Sequence, residues 1–330
     1  MSTPVRWGII GPGNIARKFA EDLMLVEGAV LQGVASRDAG KARQFAETFG
    51  AVSSYGSYEA LVKDPEVDIV YVATPHVFHY PHAMLCLQYG KAVLCEKPFG
   101  MNAREVEGML AEAKARDLFI MEAFWTRFIP GIIRMQEIIQ SGAIGEIEYI
   151  RSDFGFLGDP DPQKRVYNKS LGGGSMMDIG IYPVYLALLL LGVPDKIQAI
   201  ARLAHTGVDS LCAMLFDYAG GPKAILESTV LATTPTEALI VGSKGSLTLH
   251  KSFHHTEKIS LNLNGQAPEI IEEKYTGNGY FHEIVEVMEC LRQVRKESPK
   301  MSHAMSLDLI RTLDRVRKEI GLLYVQDDPV

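Results

Sequence analysis

A doubly wound parallel α/β sheet, followed by an α+β domain on a mostly antiparallel open sheet, is the fold this sequence predicts. Three observations carry that expectation. Apolar runs alternate with amphipathic stretches through the first third, a glycine loop joins the first run to the first amphipathic stretch, and strand-like runs then follow one another without helices between them. At 330 residues the chain is longer than an ordinary single domain, and the change of pattern divides it into 1–121 and 122–330.

Residues 5–10, 30–35, 69–73 and 92–95 are apolar runs of strand length, and 119–121 adds a short further one. Between them, 15–26, 40–49, 58–63, 79–89 and 103–116 carry apolar residues at helical spacing. Connections this short imply a sheet with right-handed crossovers. Beyond about Met121, residues 144–156, 196–204, 211–218, 224–231, 238–241, 246–250 and 259–263 read as strands. Several succeed one another directly, which favours antiparallel pairing. Gly242-Ser243-Lys244-Gly245 suits a hairpin connection. Helical patterns near 280–296 and 304–322 close the chain.

Composition narrows the function. With 47% hydrophobic and 22% charged residues the chain has the make-up of a globular protein with a substantial core. A net charge of −7 argues against a nucleic-acid surface, which needs basic residues to neutralise phosphates. Cys86, Cys95, Cys212 and Cys290 form no C-x-x-C pair, and no His/Cys cluster has zinc spacing, so neither a disulfide framework nor a metal is expected. The opening Met1-Ser2-Thr3-Pro4-Val5 carries no apolar signal core. The most apolar stretch, 184–193, is about half the length a bilayer needs. The expectation is a soluble, cytoplasmic protein with no membrane partner.

Gly11-Pro12-Gly13-Asn14-Ile15-Ala16 is G-x-G-x-x-A, placed directly after a strand and opening a helix. Gly11 permits the tight turn, Gly13 lets the backbone approach a pyrophosphate, and Ala16 lets helix pack closely on sheet. Asn14 and Ile15 begin the helix, whose N-terminus offers N–H groups and a positive dipole end to the anion. This is the Rossmann arrangement for a dinucleotide. At the end of the second strand an NAD site usually carries a carboxylate for the ribose hydroxyl, whereas this chain has Ser36-Arg37 with Lys41 one turn beyond. Those cations suit a 2′-phosphate, so NADP is expected in preference to NAD, although the adjacent Asp38 could take the ribose role.

Further motifs follow. Thr74-Pro75-His76-Val77-Phe78-His79 and Cys95-Glu96-Lys97-Pro98 fall at the ends of predicted parallel strands, where ligands bind in open α/β sheets. Thr74, Pro75, His76, His79, Glu96 and Lys97 thereby join the candidate cofactor residues. Glu122-Ala123-Phe124-Trp125, the run from Gly172 to Pro183 with its triple glycine and Asp178-x-x-x-Tyr182, and Gly242-Ser243-Lys244-Gly245-Ser246-Leu247 complete the set. With these motifs in this order, nearly the whole chain resembles the glucose-fructose oxidoreductase/inositol dehydrogenase (Gfo/Idh/MocA) family. Within it, the resemblance is to the branch of dimeric dihydrodiol dehydrogenases and NADP-dependent D-xylose 1-dehydrogenases. It implies Lys97 and Tyr182 as the catalytic pair and a homodimer formed through the open face of the C-terminal sheet. His76 departs from the asparagine common in the family after Thr-Pro, and many members carry histidine where this chain has Tyr182.

The chemistry agrees. Oxidising an alcohol or hemiacetal with NADP⁺ requires a base for the hydroxyl proton. A phenol with a pKa near 10 needs help, and an ammonium together with a cationic nicotinamide lowers it by roughly one to three units. Asp178 lies four residues before Tyr182 and on a helix would share its face, orienting the phenol or bonding a substrate hydroxyl, although Pro183 disturbs that geometry. Trp125, Phe154 and Phe156 offer an apolar wall for a ring-shaped substrate, and Arg127 a further grip on hydroxyls. The expected activity is hydride transfer between NADP and a cyclic diol or aldose. The alternatives are an NAD-linked sugar or polyol dehydrogenase and a non-catalytic NADP-binding regulator, which would keep the glycine loop without needing Lys97 and Tyr182 together.

Overall fold

The computed structural model describes residues 3–328; Met1 and Ser2 of the opening stretch lie outside the described residues, as do Pro329 and Val330. The chain divides into two units. One holds the chain up to Phe128 together with Tyr275–Leu307, and the other holds Ile129–Lys274 and the chain from Asp308 onward.

The first unit alternates strand and helix: β1 (Val5–Ile10), α1 (Asn14–Leu23), β2 (Ala29–Ala35), α2 (Ala39–Phe49), β3 (Ser53–Tyr55), α3 (Tyr58–Val62), β4 (Ile69–Val72), α4 (His79–Gln88), β5 (Ala92–Glu96), α5 (Ala103–Ala115) and β6 (Ile120–Ala123). All six strands are parallel, in the order β3-β2-β1-β4-β5-β6. The chain therefore reverses its direction of travel across the sheet between β1 and β4, and the strand ends there open a crevice for ligand. β4, β5 and β6 are buried throughout, which is why they read as unbroken apolar runs rather than as alternating ones. Helix starts are set by side chains. Asp38 accepts from the Gly40 and Lys41 N–H groups, Ser57 from Ala60, and Asn102 from Glu105.

The second unit begins with α6 (Pro130–Gln140) and β7 (Ile147–Gly155), then α7 (Ile181–Leu191), and runs through β8 (Lys196–Leu203), β9 (Asp209–Asp217), β10 (Lys223–Thr229), β11 (Ala238–Gly242), β12 (Gly245–Leu249), β13 (Lys258–Leu263) and β14 (Glu269–Glu272). Its eight-stranded sheet has the order β14-β13-β12-β11-β7-β10-β9-β8, and only β7 and β10 run parallel. Gly242 and Gly245 pair across the expected hairpin. Residues 169–191 form a stretch long and apolar enough to be a spanning candidate, but most of it lies inside the fold, and Ile181 to Leu188 are all buried as in a core helix.

The late chain returns to the first unit as α8 (Phe281–Arg292). Buried Asp22, near the end of α1, draws it there. Its carboxylate accepts the N–H of Asn278 at 2.7 Å and that of Phe281 at 2.9 Å, anchoring the start of α8. The last helix, α9 (His303–Glu319), supplies its opening residues to this unit and the remainder to the other.

Candidate active site

The glycine loop has the geometry its sequence foretold. Gly11 has φ +87°, and a Cβ there would lie 2.8 Å from the Thr74 methyl and 2.9 Å from the Ala73 carbonyl oxygen. Only glycine lets the end of β1 lie against the end of β4. At Gly13 the nearest atom to such a Cβ is 4.0 Å away, so the space before the helix is open. Asn14 and Ile15 are exposed at the start of α1, Ala16 is fully buried against the sheet, and no acidic residue sits in the first turn to oppose an anion. These features fit a dinucleotide's pyrophosphate, with Gly13 giving it room and α1 giving it N–H donors.

Past β2, Ser36 is buried and its hydroxyl accepts the Asp38 N–H at 3.2 Å. Asp38 in turn uses its Oδ1 to cap α2, at 2.9 Å from the Gly40 nitrogen and 3.2 Å from that of Lys41. Arg37 and Lys41 are exposed. Arg37 lies 5.9 Å over the Phe78 ring and lines a cavity of about 590 Å³ with Ser57, Tyr58, Glu59 and His82. Burial, with His79 and Arg37 adding to it, holds the His82 imidazole down to about 4, so it is neutral at physiological pH and leaves Arg37 as the cation of this pocket.

Around the ends of β4 and β5, Thr74, His76 and His79 are buried, and the two imidazoles lie 5.7 Å apart. The His79 ring nitrogens lie 2.7 Å from the Pro98 carbonyl oxygen and 2.7 Å from that of Thr74. His79 thus ties the Thr74-Pro75 loop to the Lys97-Pro98 turn. Glu96 is buried, takes the Tyr71 hydroxyl on one oxygen and the Lys97 N–H at 3.2 Å on the other. Lys97 itself is half-buried. In the same unit Trp125 is buried and stacks on Tyr280 at 5.2 Å, while the Arg127 Nε donates to the Lys300 carbonyl at 3.0 Å.

The second unit holds Tyr182 and Asp178. Met176–Gly180 forms a π-helical turn that runs into α7, a wide turn of the kind often found at functional positions. It also accommodates Pro183. The proline, which has no N–H to donate, lies just past this turn in a helical run that continues unbroken from Ser175 into α7. Asp178 and Tyr182 are each 6% exposed, and the Asp178 carboxylate is paired with Arg165 at 2.8 Å. The Tyr182 ring lies 5.6 Å from Phe154 and 4.7 Å from His254, which itself stacks on Phe154 at 4.5 Å. Phe154 and Phe156 both pack against an apolar cluster of Tyr167, Ile179 and Val230. Buried Asp209 fixes the start of the turn, accepting the Ser175 hydroxyl at 2.6 Å and the Met176 N–H at 2.7 Å. Arg165, His254, Asp209 and Tyr280 escaped the sequence reading. Three of them come close to their partners only through tertiary folding, and the His254-His255 pair carries no spacing signal that would set it beside a tyrosine.

A strand-glycine-helix loop at the reversal point of a parallel sheet, joined in one chain to an antiparallel-sheet unit, is the arrangement of a dinucleotide-binding protein. A family profile described as an oxidoreductase family with NAD-binding Rossmann fold (GFO_IDH_MocA) matches residues 5–124, and the family's C-terminal domain matches 132–248. The chain belongs to the Gfo/Idh/MocA oxidoreductase family. It is 38% identical to a trans-1,2-dihydrobenzene-1,2-diol dehydrogenase of Mus musculus, over 98% of this chain and 99% of that one. Among solved structures it is similar to the 3-ketoreductase KijD10 of Actinomadura kijaniata, crystallised with NADP, at 26% identity and TM-score 0.87 over 96% of this chain and 98% of the other. A levoglucosan dehydrogenase solved with NADH, at 19% identity and TM-score 0.87 over 97% of each chain, shares the fold. The chain is an NAD(P)-dependent dehydrogenase.

Proposed function

We propose that this dehydrogenase uses NADP and acts on a cyclic diol or an aldose, of the trans-dihydrodiol or D-xylose type. The observation that carries the reading is the surroundings of Tyr182: a phenol on the first turn of α7, near Asp178 in sequence and flanked by the Phe154 and His254 rings. Bound nicotinamide supplies the hydride acceptor or donor. Tyr182 as the phenolate takes the substrate's hydroxyl proton in oxidation, and as the phenol gives it back in reduction. Asp178, oriented by Arg165, holds the turn and offers a carboxylate to a neighbouring substrate hydroxyl. Lys97, the other member of the pair implied by the family, adds positive charge to the same proton step. The name of the mouse relative supports a diol substrate.

NADP is favoured because Asp38, the carboxylate next to Arg37 in sequence, caps α2 with its Oδ1, while Arg37 and Lys41 are exposed at the end of β2. Fluorescence titration with NADPH and NADH tests this part: NADPH should bind the more tightly, and equal affinities would remove the NADP reading. We further infer a homodimer through the outer face of the eight-stranded sheet. Ile200, Leu211, Leu215 and Ile225 stand 74%, 36%, 40% and 49% exposed there, and the register sets Leu215 beside Ile225. An apolar band of this kind is what a second copy would cover. The four cysteines are buried thiols, in keeping with the cytoplasmic location we propose.

A further inference from the structure

Glu122 sits in β6 and is 2% exposed. Its Oε1 accepts the Phe99 N–H at 3.1 Å, which anchors the far side of the turn that begins at Lys97. Its Oε2 is buried and makes no hydrogen bond among the described residues. The strand register places Cys95 opposite Glu122 and Glu96 opposite Ala123, so the carboxyl lies next to Glu96 and within range of the Lys97 charge. The other titratable or polar groups around it are the Cys95 thiol on β5 and, from α9, the Ser306 hydroxyl and His303, whose ring contacts the Ile120 carbonyl at 3.0 Å. Met101 and Asn102, which follow the turn, are tied down separately through Glu105.

For stability alone this is a poor place for an acid. A buried carboxyl with one idle oxygen is destabilising when charged, and glutamine would satisfy the same Phe99 N–H. A carboxylate, however, grips an N–H about twice as strongly as a neutral acceptor does. Burial pushes this carboxyl up to about 7, with Glu96 adding to the rise and the Ser306, Phe99 and Lys97 interactions opposing it. Near pH 7 both protonation states are therefore populated.

We propose that Glu122 is the positioning residue of the Lys97 turn: as a carboxylate it grips the Phe99 N–H and holds Lys97 in its working place, and as a neutral acid it relaxes that grip and slows turnover. This rests on the reading of Lys97 as one of the catalytic pair. Glu122 does not touch substrate in this scheme, and its whole effect passes through the turn.

Glu122→Gln tests it, with kcat followed from pH 5.5 to 8.5 alongside NADPH affinity and thermal stability. The wild-type kcat should rise through about pH 7, and the variant should lose that rise. At pH 8 the variant's kcat should fall roughly ten- to a hundred-fold, with NADPH affinity unchanged and Tm equal or higher. A kcat rise that persists in the variant, or a Tm that falls together with kcat, overturns the assignment. A second readout needs no turnover. Amide exchange at Phe99, Gly100 and Met101, corrected for intrinsic rate, should be slower at pH 8 than at pH 6 in wild type and equal at both in Glu122→Gln. Failure of that difference overturns the Glu122 assignment whatever the substrate. Its presence in a protein that turns over none of the proposed substrates would leave Glu122 standing and sink the substrate reading instead.

Discussion

At the scale of single residues, buried carboxyls, Glu122, Asp209 and Glu283 among them, contribute to the chain's response to pH. Burial raises Glu122 to about 7 and Asp209 to about 6. A group whose folded value is raised stabilises the fold fully below its unfolded value and loses that contribution as pH rises through the folded one. Relative to wild type, Glu122→Gln should therefore gain on the order of 1–3 kcal/mol in urea unfolding at pH 8 and almost nothing at pH 4.5. A variant equally unstable at both pH values would contradict the burial argument. Arg37 makes a separate prediction. Arg37→Ala should weaken NADP⁺ binding at least ten-fold while changing NAD⁺ binding little, because a bidentate cation is worth most against a phosphate. Equal losses in two parallel titrations would mean that Arg37 only stacks on Phe78.

Among the elements, the glycine loop joins fold to function most directly, and its two glycines should separate them. Gly11→Ala meets Thr74 and Ala73 at under 3 Å with φ +87°, so it should cost on the order of 1–3 kcal/mol of stability as well as cofactor binding. Gly13→Ala meets nothing closer than 4.0 Å; it should fold normally and lose NADPH affinity at least ten-fold. A Gly13→Ala variant that binds NADPH as wild type does would mean the pyrophosphate lies elsewhere. The same loop shows why much of the first unit was legible. G-x-G-x-x-A constrains a strand, a turn and a helix at once, and the buried runs of β4 and β5 admit few other readings. β3 stayed hidden because Ser53-Ser54-Tyr55 has one apolar residue and owes its strand state to pairing with β2. β14, with Glu at both ends, is an edge strand of the same kind. The π turn was invisible because the contacts at its start, such as that of Ser175 with Asp209, join residues 34 positions apart.

At the scale of the whole molecule, family and fold class were legible from several motifs in order, whereas the groups around Tyr182 were only half so. Tyr182, Asp178 and Phe154 stand in motifs or alternations that a sequence displays. Arg165 and His254 come from irregular segments whose paths no local pattern specifies. The proposed dimer belongs at this scale too. Ile200 lies in edge strand β8, 74% exposed, where a charge costs the isolated chain little. Ile200→Glu, with Leu215→Glu if one charge is insufficient, should convert a dimer to a monomer in light scattering without unfolding it. A wild-type protein that is monomeric at micromolar concentration would end the dimer proposal.

The central claim is that Tyr182 moves the proton in an NADP-linked oxidation of a cyclic diol or aldose. The most direct measurement is the initial rate of NADP⁺ reduction by wild type and Tyr182→Phe across aldoses, polyols and arene trans-dihydrodiols, with NADPH affinity measured on both proteins. The account predicts turnover of one of these classes by wild type, lost by roughly 10²- to 10⁴-fold in the variant, with NADPH bound equally by both. Full turnover by Tyr182→Phe would contradict the role given to the phenol, and a wild type that binds NADPH but turns over none of the panel would contradict the substrate.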